Sequence, residues 1–460
     1  MNAPQMTAAA LARASRNLTT PFAIELADGR WLQIDTLLRV LPGKRITGIA
    51  TFAGQRVVAK LFIASSGSER HWQRECQGIE FLRQHDLPTP PLLAASALKS
   101  GGQYVLTEFI DAAQSLADAP VALPRLFALL GRMHASGLTH EDAHLGNFLA
   151  HDDTLLILDG DAIRGDQSTI AFQENLSLLL SQLPPNVLSE QRESLIAAYR
   201  SGNPTFVLDS AQLDRQIAAI TSKRLHDYLD KCLRDCTLFK VAKTADRFTA
   251  VLRSEADRLA PVIADPDRWM SDGKPLKQGR TATLAIVECG GRQLVIKRYN
   301  IKNTGHALSR ALRPSRAWYS WVAGNRLQFL GITTPRPLAL IEQRFGPLRG
   351  KAWLITEYCP GRNLLEQLDA GGRVPEEELA ALRSLFHQLA AARITHGDLK
   401  ATNLLRDGRR ISLIDLDAMR QHGSNVTFRR AWRKDCVRFL ENWPADSAVR
   451  KKLEETLPVP

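Results

Sequence analysis

The sequence has few cysteines, and none of them lies in a close pair. Six cysteines are spread along the chain without any C-x-x-C motif: Cys76, Cys232, Cys236, Cys289, Cys359 and Cys436. This pattern argues against a zinc ribbon and against a disulfide framework. A reducing compartment, the cytoplasm, is therefore expected.

Long hydrophobic runs are also missing. No window approaches the roughly 18 consecutive apolar residues that a membrane-spanning helix needs. The Ala-rich N-terminus is interrupted by Arg13 and Arg16, which is not typical of a secretory signal peptide. We expect a chain that is neither secreted by a signal peptide nor integral to a bilayer.

Acidic residues are scarcer than basic ones. There are 48 Asp and Glu against 60 Lys and Arg, which gives a formal net charge of +12. This excess favours polyanionic partners such as nucleotides, phosphorylated sugars, an anionic membrane or nucleic acid, although no nucleic-acid-binding motif is present. The 44% hydrophobic content excludes a mainly disordered chain, and 460 residues predict more than one domain.

The chain contains an internal repeat. Residues 138–163 read LTHEDAHLGNFLAHDDTLLILDGDAI, and residues 394–419 read ITHGDLKATNLLRDGRRISLIDLDAM. Five polar residues recur at a constant offset of 256: His140, Asp142, Asn147, Asp159 and Asp161 correspond to His396, Asp398, Asn403, Asp415 and Asp417. Five matches at unchanged spacing indicate two copies of one functional unit.

The segments upstream of the two copies also correspond. Each has an apolar run that ends on a lysine, Lys60 or Lys297, and later an acidic-aromatic step at Glu108 or Glu357. Alternating residues predict β-hairpins over 46–62 and 283–299. Helical spacing predicts helices over 69–84, 126–134, 315–330 and 379–392, and short buried strands are predicted over 155–158 and 411–414.

The repeated residues suit phosphoryl transfer. That reaction needs a lysine on the nucleotide phosphates, oxygen ligands for Mg²⁺ and a carboxylate beside the attacking hydroxyl. Each copy supplies a strand lysine, an aspartate followed five residues later by an asparagine, and an aspartate at the end of a strand.

Both halves resemble the protein-kinase-like fold. The resemblance implies an α+β chain of two tandem bilobal domains, each with an antiparallel β N-lobe and a helical C-lobe, that use ATP and Mg²⁺. It implies nucleotide binding by Lys60, Glu75, Glu108, Lys297 and Glu357, metal binding by Asn147, Asp159, Asn403 and Asp415, and catalysis by Asp142, Asp398 and Lys400.

Several motifs are similar to those of bacterial lipopolysaccharide core kinases, which phosphorylate heptose or Kdo sugars. Asp159-Gly160-Asp161 and Asp415-Leu416-Asp417 replace D-F-G, no A-P-E motif follows, and residues 396–400 read HGDLK. The resemblance covers residues 265–440 well and 35–180 more loosely. It implies a lipopolysaccharide core glycolipid as acceptor at the cytoplasmic face of the inner membrane, with the chain peripheral to that anionic surface and no nucleic acid bound.

A basic and aromatic stretch lies in the second copy. From Lys297 to Trp321 there are six Lys or Arg and no Asp or Glu, together with four Tyr or Trp. We expect Arg313 and Arg316 to contact an anionic substrate or membrane headgroups, with Asp161 and Asp417 as further substrate contacts. The alternative is a solvated helix face whose aromatic side chains pack inward.

The two copies differ in ways that bear on activity. Lys400 lies two residues after Asp398, whereas the first copy has His144 at that place. Glu75 can pair with Lys60, but the aligned residues Ser320 to Asn325 offer no acid to Lys297. We expect the second copy to be the main catalytic centre because it matches the sugar-kinase pattern more closely.

Three other functions stay open at this point. They are a protein Ser/Thr/Tyr kinase, a small-molecule phosphotransferase similar to aminoglycoside kinases, and a nucleotide-binding pseudokinase scaffold. The expected organisation is an N-terminal extension (1–30), a first kinase-like domain (31–205), a helical segment (206–265) and a second kinase-like domain (266–460).

Overall fold

The computed structural model describes residues 3–64, 66–117, 122–165, 168–279, 281–300, 313–368, 374–408 and 410–457. The chain divides into two compact units, one of Met1–Leu183 with Val187–Thr221 and one of Pro184–Asn186 with Ser222–Pro460. Within the described ranges, no helix combines the length and the hydrophobicity that crossing a bilayer requires.

The first unit contains an antiparallel sheet of six strands in the order β1-β2-β3-β4-β6-β5. Helix α1 (Ala8–Ala14) precedes the sheet, and α2 (Ser68–Gln84) connects β4 to β5. The strands are β1 (Phe22–Glu25), β2 (Trp31–Leu41), β3 (Arg45–Phe52), β4 (Gln55–Phe62), β5 (Leu92–Ala97) and β6 (Gln103–Glu108).

The rest of the first unit is mainly helical, with short strands around the motif residues. The helices are α3 (Leu123–Ala135), α4 (Thr169–Leu180), α5 (Pro185–Gly202) and α6 (Ser210–Lys231), and α6 continues past the division at Thr221. Strands β9 (Phe148–His151) and β10 (Thr154–Ile157) pair with β7 (Gln114–Ser115) in one small sheet, and β8 (Leu138–His140) pairs with β11 (Ile163–Gly165).

The second unit has an antiparallel sheet of seven strands in the order β12-β13-β17-β18-β16-β15-β14. The strands are β12 (Phe239–Lys243), β13 (Arg247–Leu252), β14 (Lys274–Gln278), β15 (Ala282–Cys289), β16 (Arg292–Tyr299), β17 (Pro337–Phe345) and β18 (Leu348–Glu357). Helices α7 (Ala256–Ala264), α8 (Pro266–Asp272) and α9 (Arg316–Phe329) lie between these strands in the sequence.

The last part of the second unit is again mainly helical. Its helices are α10 (Leu364–Gln367), α11 (Glu376–Ala391), α12 (Asn425–Leu440) and α13 (Ala448–Thr456). Short strands flank the second motif: β19 (Arg362–Asn363), β20 (Ile394–Thr395), β21 (Leu404–Asp407), β22 (Arg410–Leu413) and β23 (Arg420–Gln421). Apolar side chains of these helices and strands, among them Phe386, Trp432 and Phe439, form one buried core.

The structure confirms the mixed α and β composition with antiparallel sheets. The predicted hairpins are β3–β4 and β15–β16, whose turns contain Gly54 and Gly290 at positive φ. The predicted helices correspond to α2, α3, α9 and α11, and the predicted short strands to β10 and β22.

The prediction of a helical segment over 206–265 is wrong in its middle. Strands β12 and β13 occupy Phe239–Lys243 and Arg247–Leu252, and β13 pairs with β17 of the second sheet. The alternation of buried Phe248 and Ala250 is short, and its pairing partner lies far along the chain, so the local pattern gave a weak signal.

The described residues of the segment 1–30, predicted as an N-terminal extension, contribute α1 and β1 to the first unit. Strand β1 pairs with β2 as the edge of the first sheet. The side chains of Leu11, Phe22 and Ile24 are fully or almost fully buried in the same core as β3 and β4. These apolar residues integrate the segment into the first unit, because exposing them would forfeit hydrophobic free energy.

Candidate active site

Lys60 and Lys297 lie at corresponding places in the two sheets. Each is on an interior strand: Lys60 on β4 is opposite Thr47 and Val105, and Lys297 on β16 is opposite Leu284 and Leu354. Ala59 and Leu61, the strand neighbours of Lys60, are buried, and so is Ile296, which precedes Lys297. The period of two therefore turns each lysine away from the core beneath the strand.

In the first unit, Lys60 contacts two predicted site residues. Its Nζ donates to Glu75 Oε1 at 2.6 Å and to Asp159 Oδ1 at 3.0 Å. Glu75 comes from α2 and is only 2% exposed. Arg45, at the start of β3, places Nη1 3.6 Å from Asp159 and 3.7 Å from Asp161.

The charges in this cluster stabilise one another. Burial lowers the pKa of Lys60, but the carboxylates of Glu75 and Asp159 outweigh burial and raise it. Burial raises the pKa of Asp159, but Lys60 and Arg45 outweigh burial and hold that pKa well below its usual range. Lys60 and Asp159 are therefore both charged at neutral pH.

Asp161 lies in a second network, which connects α2 to the turn after β10. Its carboxylate contacts Arg74 Nε at 3.2 Å and His71 Nδ1 at 2.8 Å. Its backbone N–H donates to Glu75 Oε2 at 3.1 Å, and Arg74 also contacts Glu141 at 3.2 Å. The first unit thus surrounds both aspartates of Asp159-Gly160-Asp161 with cationic or N–H groups of its own.

The loop from His140 to Asn147 presents Asp142. Asn147 Nδ2 donates to the Asp142 carbonyl at 2.8 Å, which fixes the loop backbone. The Asp142 side chain is largely exposed, and His144 Nε2 lies 3.5 Å from its Oδ2. The hydrogen bond with His144 lowers the pKa of Asp142.

In the second unit, Lys297 has a different set of partners. Its Nζ donates to Asp415 Oδ1 and lies 4.9 Å from the ring centre of Tyr299. Burial lowers the pKa of Lys297, but Tyr299 and Asp415 outweigh burial and raise it. Helix α9 corresponds to α2 of the first unit, but in the stretch that corresponds to Glu75 it carries Trp321. The Trp321 indole N–H donates to the Cys232 carbonyl.

Asp415 is also more accessible than its counterpart. Its side chain is 37% exposed, against 15% for Asp159. Burial raises the pKa of Asp415, but Lys297 outweighs burial and lowers it, so this carboxylate is ionised at neutral pH. Asp415 therefore offers negatively charged oxygen atoms at an open position.

The loop from His396 to Asn403 presents Asp398 between two cations. Lys400 Nζ donates to Asp398 Oδ2 at 2.7 Å, and Arg438 Nε lies 3.5 Å from Oδ1. Asn403 Nδ2 donates to the Asp398 carbonyl at 2.9 Å, the same bond that Asn147 makes in the first unit. This bond leaves the Asn403 side-chain oxygen available as a ligand.

The sequence analysis missed the side chains that hold these loops. Asp435 on α12 is buried and accepts from the His396 N–H at 2.6 Å and the Gly397 N–H at 3.0 Å. In the first unit, Asn175 on α4 accepts from the His140 N–H at 3.2 Å and donates to the His140 carbonyl at 2.6 Å. A buried acid in an otherwise apolar helix face was the available signal for Asp435.

A cavity of about 600 Å³ opens beside Lys297. Its polar lining includes Lys297, Asn403, Asp415 and Glu357. Its apolar lining comes from the sheet on one side and from the strands after the loop on the other: Leu284, Val295, Leu354, Leu405 and Ile414. The cavity is within the size range of small-molecule sites.

A second cavity, of about 640 Å³, is lined by Arg313, Arg316, Asp417 and Arg420. Arg316 pairs with Asp417, while Arg313 and Arg420 are exposed. Residues 301–312 of the predicted basic and aromatic stretch lie outside the described residues.

The aromatic side chains at the C-terminal end of this stretch divide between core and surface. Trp321 is buried, and Trp318 packs against Phe248 with ring centres 5.1 Å apart. Tyr319 is half-exposed and lines the second cavity. The inward-packing alternative therefore applies to the two tryptophans.

The two predicted acidic residues at the strand ends lie in different surroundings. Glu357 lines the cavity beside Lys297 and accepts from Arg292 at 2.8 Å. Glu108 is exposed at the end of β6, where it lies opposite Val57, just as Glu357 lies opposite Leu294.

Comparisons with known proteins bear mainly on the second unit. Residues 261–446 match the sequence model described as "Lipopolysaccharide kinase (Kdo/WaaP) family". No curated protein matches the chain. Among solved structures, the chain is similar to WaaP in complex with acyl carrier protein, at 17% identity and a TM-score of 0.34, over 41% of this chain and 88% of that one.

Two further solved structures are similar to part of the chain. One is the amicoumacin kinase hAmiN in complex with AMP-PNP, Ca²⁺ and Ami, at 16% identity and a TM-score of 0.31, over 42% of this chain and 81% of that one. The other is vaccinia related kinase 3, at 10% identity and a TM-score of 0.28, over 47% and 89%. Residues 261–446 of the chain thus match the lipopolysaccharide kinase (Kdo/WaaP) family, and this match supports a phosphotransferase activity.

Proposed function

We propose that the second unit transfers the γ-phosphate of ATP to a hydroxyl group of a heptose or Kdo sugar in lipopolysaccharide core. The observation that carries this proposal is that Lys297, Asn403 and Asp415 line one cavity. Asp398 is tied to the same group through the bond of its carbonyl to Asn403. A nucleotide site and a carboxylate for the acceptor hydroxyl therefore adjoin each other.

ATP fits the cavity by its chemistry. The apolar side chains Leu284 and Val295 on one side and Ile414 on the other suit the two faces of a purine ring. Thr356, Glu357 and Tyr358, at and just after the end of β18, also line the cavity and would supply polar contacts for the ring edge. Lys297, buried and charged, would bind the phosphates.

Mg²⁺ fits the two oxygen ligands that the site offers. The Asp415 carboxylate is ionised and open, and the amide of Asn403 is oriented by its bond to the Asp398 carbonyl. One or two protein oxygen ligands, completed by phosphates and water, are typical of Mg²⁺ in kinases. When bound, Mg²⁺ would neutralise charge on the phosphates.

The roles of the protein side chains follow from their positions. Asp398, held between Lys400 and Arg438, would orient the acceptor hydroxyl and accept its proton as the new O–P bond forms and the bond to ADP breaks. Lys400 and Lys297 would stabilise charge on the transferring and remaining phosphates.

The second cavity suits an anionic acceptor. Arg313 and Arg420 are exposed there, and Arg316 and Asp417 add a charge pair that can exchange partners when a sugar carboxylate or phosphate binds. This chemistry favours a charged sugar over a neutral alcohol such as the acceptor of a small-molecule kinase. Asp161 is the corresponding residue of the first unit, where Arg74 and His71 already contact it.

We propose that the first unit is a second kinase-like domain with a different task. It has the equivalent set Lys60, Glu75, Asp142, Asn147 and Asp159. Arg45, however, lies 3.6 Å from Asp159, where a divalent cation would bind, and this charge disfavours Mg²⁺. The observation favours a scaffold or regulatory role for the first unit and catalysis in the second.

The domain limits and the location remain part of this proposal. We propose a first kinase-like domain over 31–205 and a second over 266–460, and the second is extended towards the N-terminus by the strands of Phe239–Leu252, which pair with its sheet. A cytoplasmic location, peripheral to the inner membrane, follows from the proposed acceptor, and the six free cysteines are in keeping with a reducing compartment.

The test is a panel of acceptors. The chain is incubated with [γ-³²P]ATP and Mg²⁺ and with core oligosaccharide, a protein mixture or an aminoglycoside, and Asp398→Asn serves as the control for contaminating kinases. We expect label in the oligosaccharide, lost in the variant. Label in protein or aminoglycoside but not in oligosaccharide would show that the proposed acceptor is wrong.

A further inference from the structure

Helix α12 has two faces of opposite character. Its buried face carries Phe428, Trp432, Asp435, Cys436, Phe439 and Leu440. The opposite face is exposed, with Val426 at 80% and Val437 at 50% exposure. Val426 and Val437 are thus two apolar side chains on a face that is otherwise mainly polar or charged.

Cations surround the two valines. Eleven residues at 3.6 per turn bring Val426 and Val437 to within about 20° of each other around the helix axis. By the same geometry, Arg429 and Arg433 lie on one side of this line and Arg430 and Lys434 on the other, and all four are exposed. We call these six residues the α12 basic face.

No acidic group compensates this charge within the helix. Asp435 is the one acid of α12, and it is buried on the other face. In the described part of the chain, the ion pairs of α12 are those of Arg438 with Asp398 and Glu441, so the four cations are available to an outside anion.

The α12 basic face is coupled to the proposed catalytic loop. On the buried side of the helix, Asp435 accepts the N–H groups of His396 and Gly397. At the edge of the exposed side, Arg438 lies 3.5 Å from Asp398. A surface that binds the α12 basic face would therefore lie close to Asp398, the residue proposed to orient the acceptor hydroxyl.

We propose that the α12 basic face docks on an anionic phospholipid bilayer. Charged headgroups would pair with the four cations while Val426 and Val437 reach the boundary of the acyl chains. Val426 and Val437 lie between two rows of cations, which matches a bilayer, where anionic headgroups cover apolar acyl chains. An acidic protein surface would offer negative charges without such an apolar layer. Docking rests on the proposed function only in that a glycolipid acceptor would lie in the same bilayer.

The test uses the full chain with vesicles of phosphatidylcholine alone or mixed with phosphatidylglycerol, without ATP or acceptor. We expect binding to the anionic vesicles at least about tenfold tighter than to the neutral ones, weakening as salt rises. Arg429→Gln/Arg430→Gln/Arg433→Gln/Lys434→Gln should lose at least about tenfold in affinity. Val426→Ser/Val437→Ser should also weaken binding, at unchanged net charge.

The matched control is Lys240→Gln/Lys243→Gln/Lys274→Gln/Lys451→Gln, which removes the same charge from exposed positions elsewhere in the second unit. This variant should bind as the wild type does. Equal losses in both quadruple variants, or full binding by the α12 variant, would overturn the proposal. So would a wild type that ignores vesicles but binds an acidic protein through these cations.

A second readout separates docking from catalysis. Phosphotransfer to water-soluble core oligosaccharide should be unchanged in the α12 quadruple variant, because none of its four residues contacts the site. If the wild type does not phosphorylate the oligosaccharide, the proposed function fails while the vesicle result stands. If it does but the vesicle experiment fails, docking alone is wrong.

Discussion

Asp435 and Asn175 hold the two H-x-D loops with different chemistry. Asp435 accepts two backbone N–H groups, whereas Asn175 accepts one and returns one to the same residue, His140. Burial raises the pKa of Asp435 against the opposing effect of the Gly397 and His396 N–H groups. Burying the Asp435 carboxylate costs free energy of desolvation. We infer that this group serves to position Asp398.

The motif residues could be predicted from the sequence because they share one offset, but these two anchors could not. Asp435 lies 260 residues after Asn175, not 256, so the repeat loses its register before helix α12. The same applies to Arg45, which precedes the hairpin predicted over 46–62 and acquires its role from the long-range contact with Asp159. Such contacts depend on packing that no local pattern encodes.

Asp435 provides a test of positioning. Asp435→Ala leaves two buried N–H groups without a partner, so we expect a loss of about 1–3 kcal/mol in the free energy of unfolding. We expect kcat to fall by about 10- to 100-fold with little change in KM for ATP. Asp435→Asn, which imitates Asn175, should restore most of kcat. A variant with normal kcat but lower stability would show that Asp435 is merely structural.

The ion pairs of Asp159 predict a pH dependence. Its pKa is lowered by folding, so the carboxylate stabilises the native state above the unfolded pKa of about 4 and loses this contribution as pH falls. The difference in free energy of unfolding between wild type and Asp159→Asn should be largest above about pH 5 and should shrink towards pH 3. Urea titrations across this range measure it, and a constant difference would contradict the account.

At the scale of elements, α2 and the turn after β10 meet through glycines. A Cβ on Gly78 would lie 2.0 Å from the Gly160 carbonyl oxygen, and one on Gly160 would lie 2.3 Å from the Glu75 carbonyl oxygen. This contact brings the Glu75 side chain to both Lys60 and the backbone of Asp161. In α9, the equivalent approach is looser, since the nearest atom to a Cβ on Gly324 is Pro337 Cγ at 3.1 Å.

Alanine at these two glycines tests the packing of the helices. Gly78→Ala forces α2 away from a backbone atom, so we expect the first unit to lose about 1–3 kcal/mol despite the better helix propensity of alanine. Gly324→Ala is the matched control and should change stability by less. Calorimetry compares the melting temperatures, and equal effects of the two variants would refute the close contact at Gly160.

Elements with strong local patterns could be predicted, and those that depend on distant partners could not. The hairpins β3–β4 and β15–β16 have alternating residues on both sides of a glycine-containing turn. By contrast, β1 and β13 are short. Each forms a strand because it pairs with another strand, β1 with β2 and β13 with β17, and packs its apolar side chains into the core beside that strand. Sheet pairing over long sequence distance supplies the information that the segment itself lacks.

At the scale of the whole molecule, we propose catalysis for the second unit and a scaffold or regulatory role for the first. The second unit has the open Asp415 beside a cavity of about 600 Å³, and the first has its aspartates occupied by Arg45, Arg74 and His71. The basic residues behind the net charge of +12 include those at three proposed anion-binding places: Lys297 for the nucleotide phosphates, Arg313 in the second cavity, and the α12 basic face. The sequence could indicate two similar motifs but not which of them would act in catalysis, because both contain the same polar residues.

Nucleotide-dependent melting tests the division. ATP with Mg²⁺ at about 100 times its Kd should stabilise the unit that binds it by about 2.7 kcal/mol. We expect the wild type to melt a few degrees higher with the nucleotide and Lys297→Ala to lose most of this shift, because Lys297 lies on the cavity. Lys60→Ala is the matched control and should retain it. A shift abolished by Lys60→Ala but kept by Lys297→Ala would assign the nucleotide to the first unit.

The most direct measurement is the rate of ³²P transfer from ATP to core oligosaccharide by the wild type, Asp398→Asn, Asp142→Asn and the double variant. The account predicts that Asp398→Asn and the double variant lose about 10²- to 10⁴-fold in kcat, because the acceptor hydroxyl loses its base. Asp142→Asn should transfer at close to the wild-type rate. Full transfer by Asp398→Asn, or loss in Asp142→Asn alone, would contradict the assignment of catalysis to the second unit.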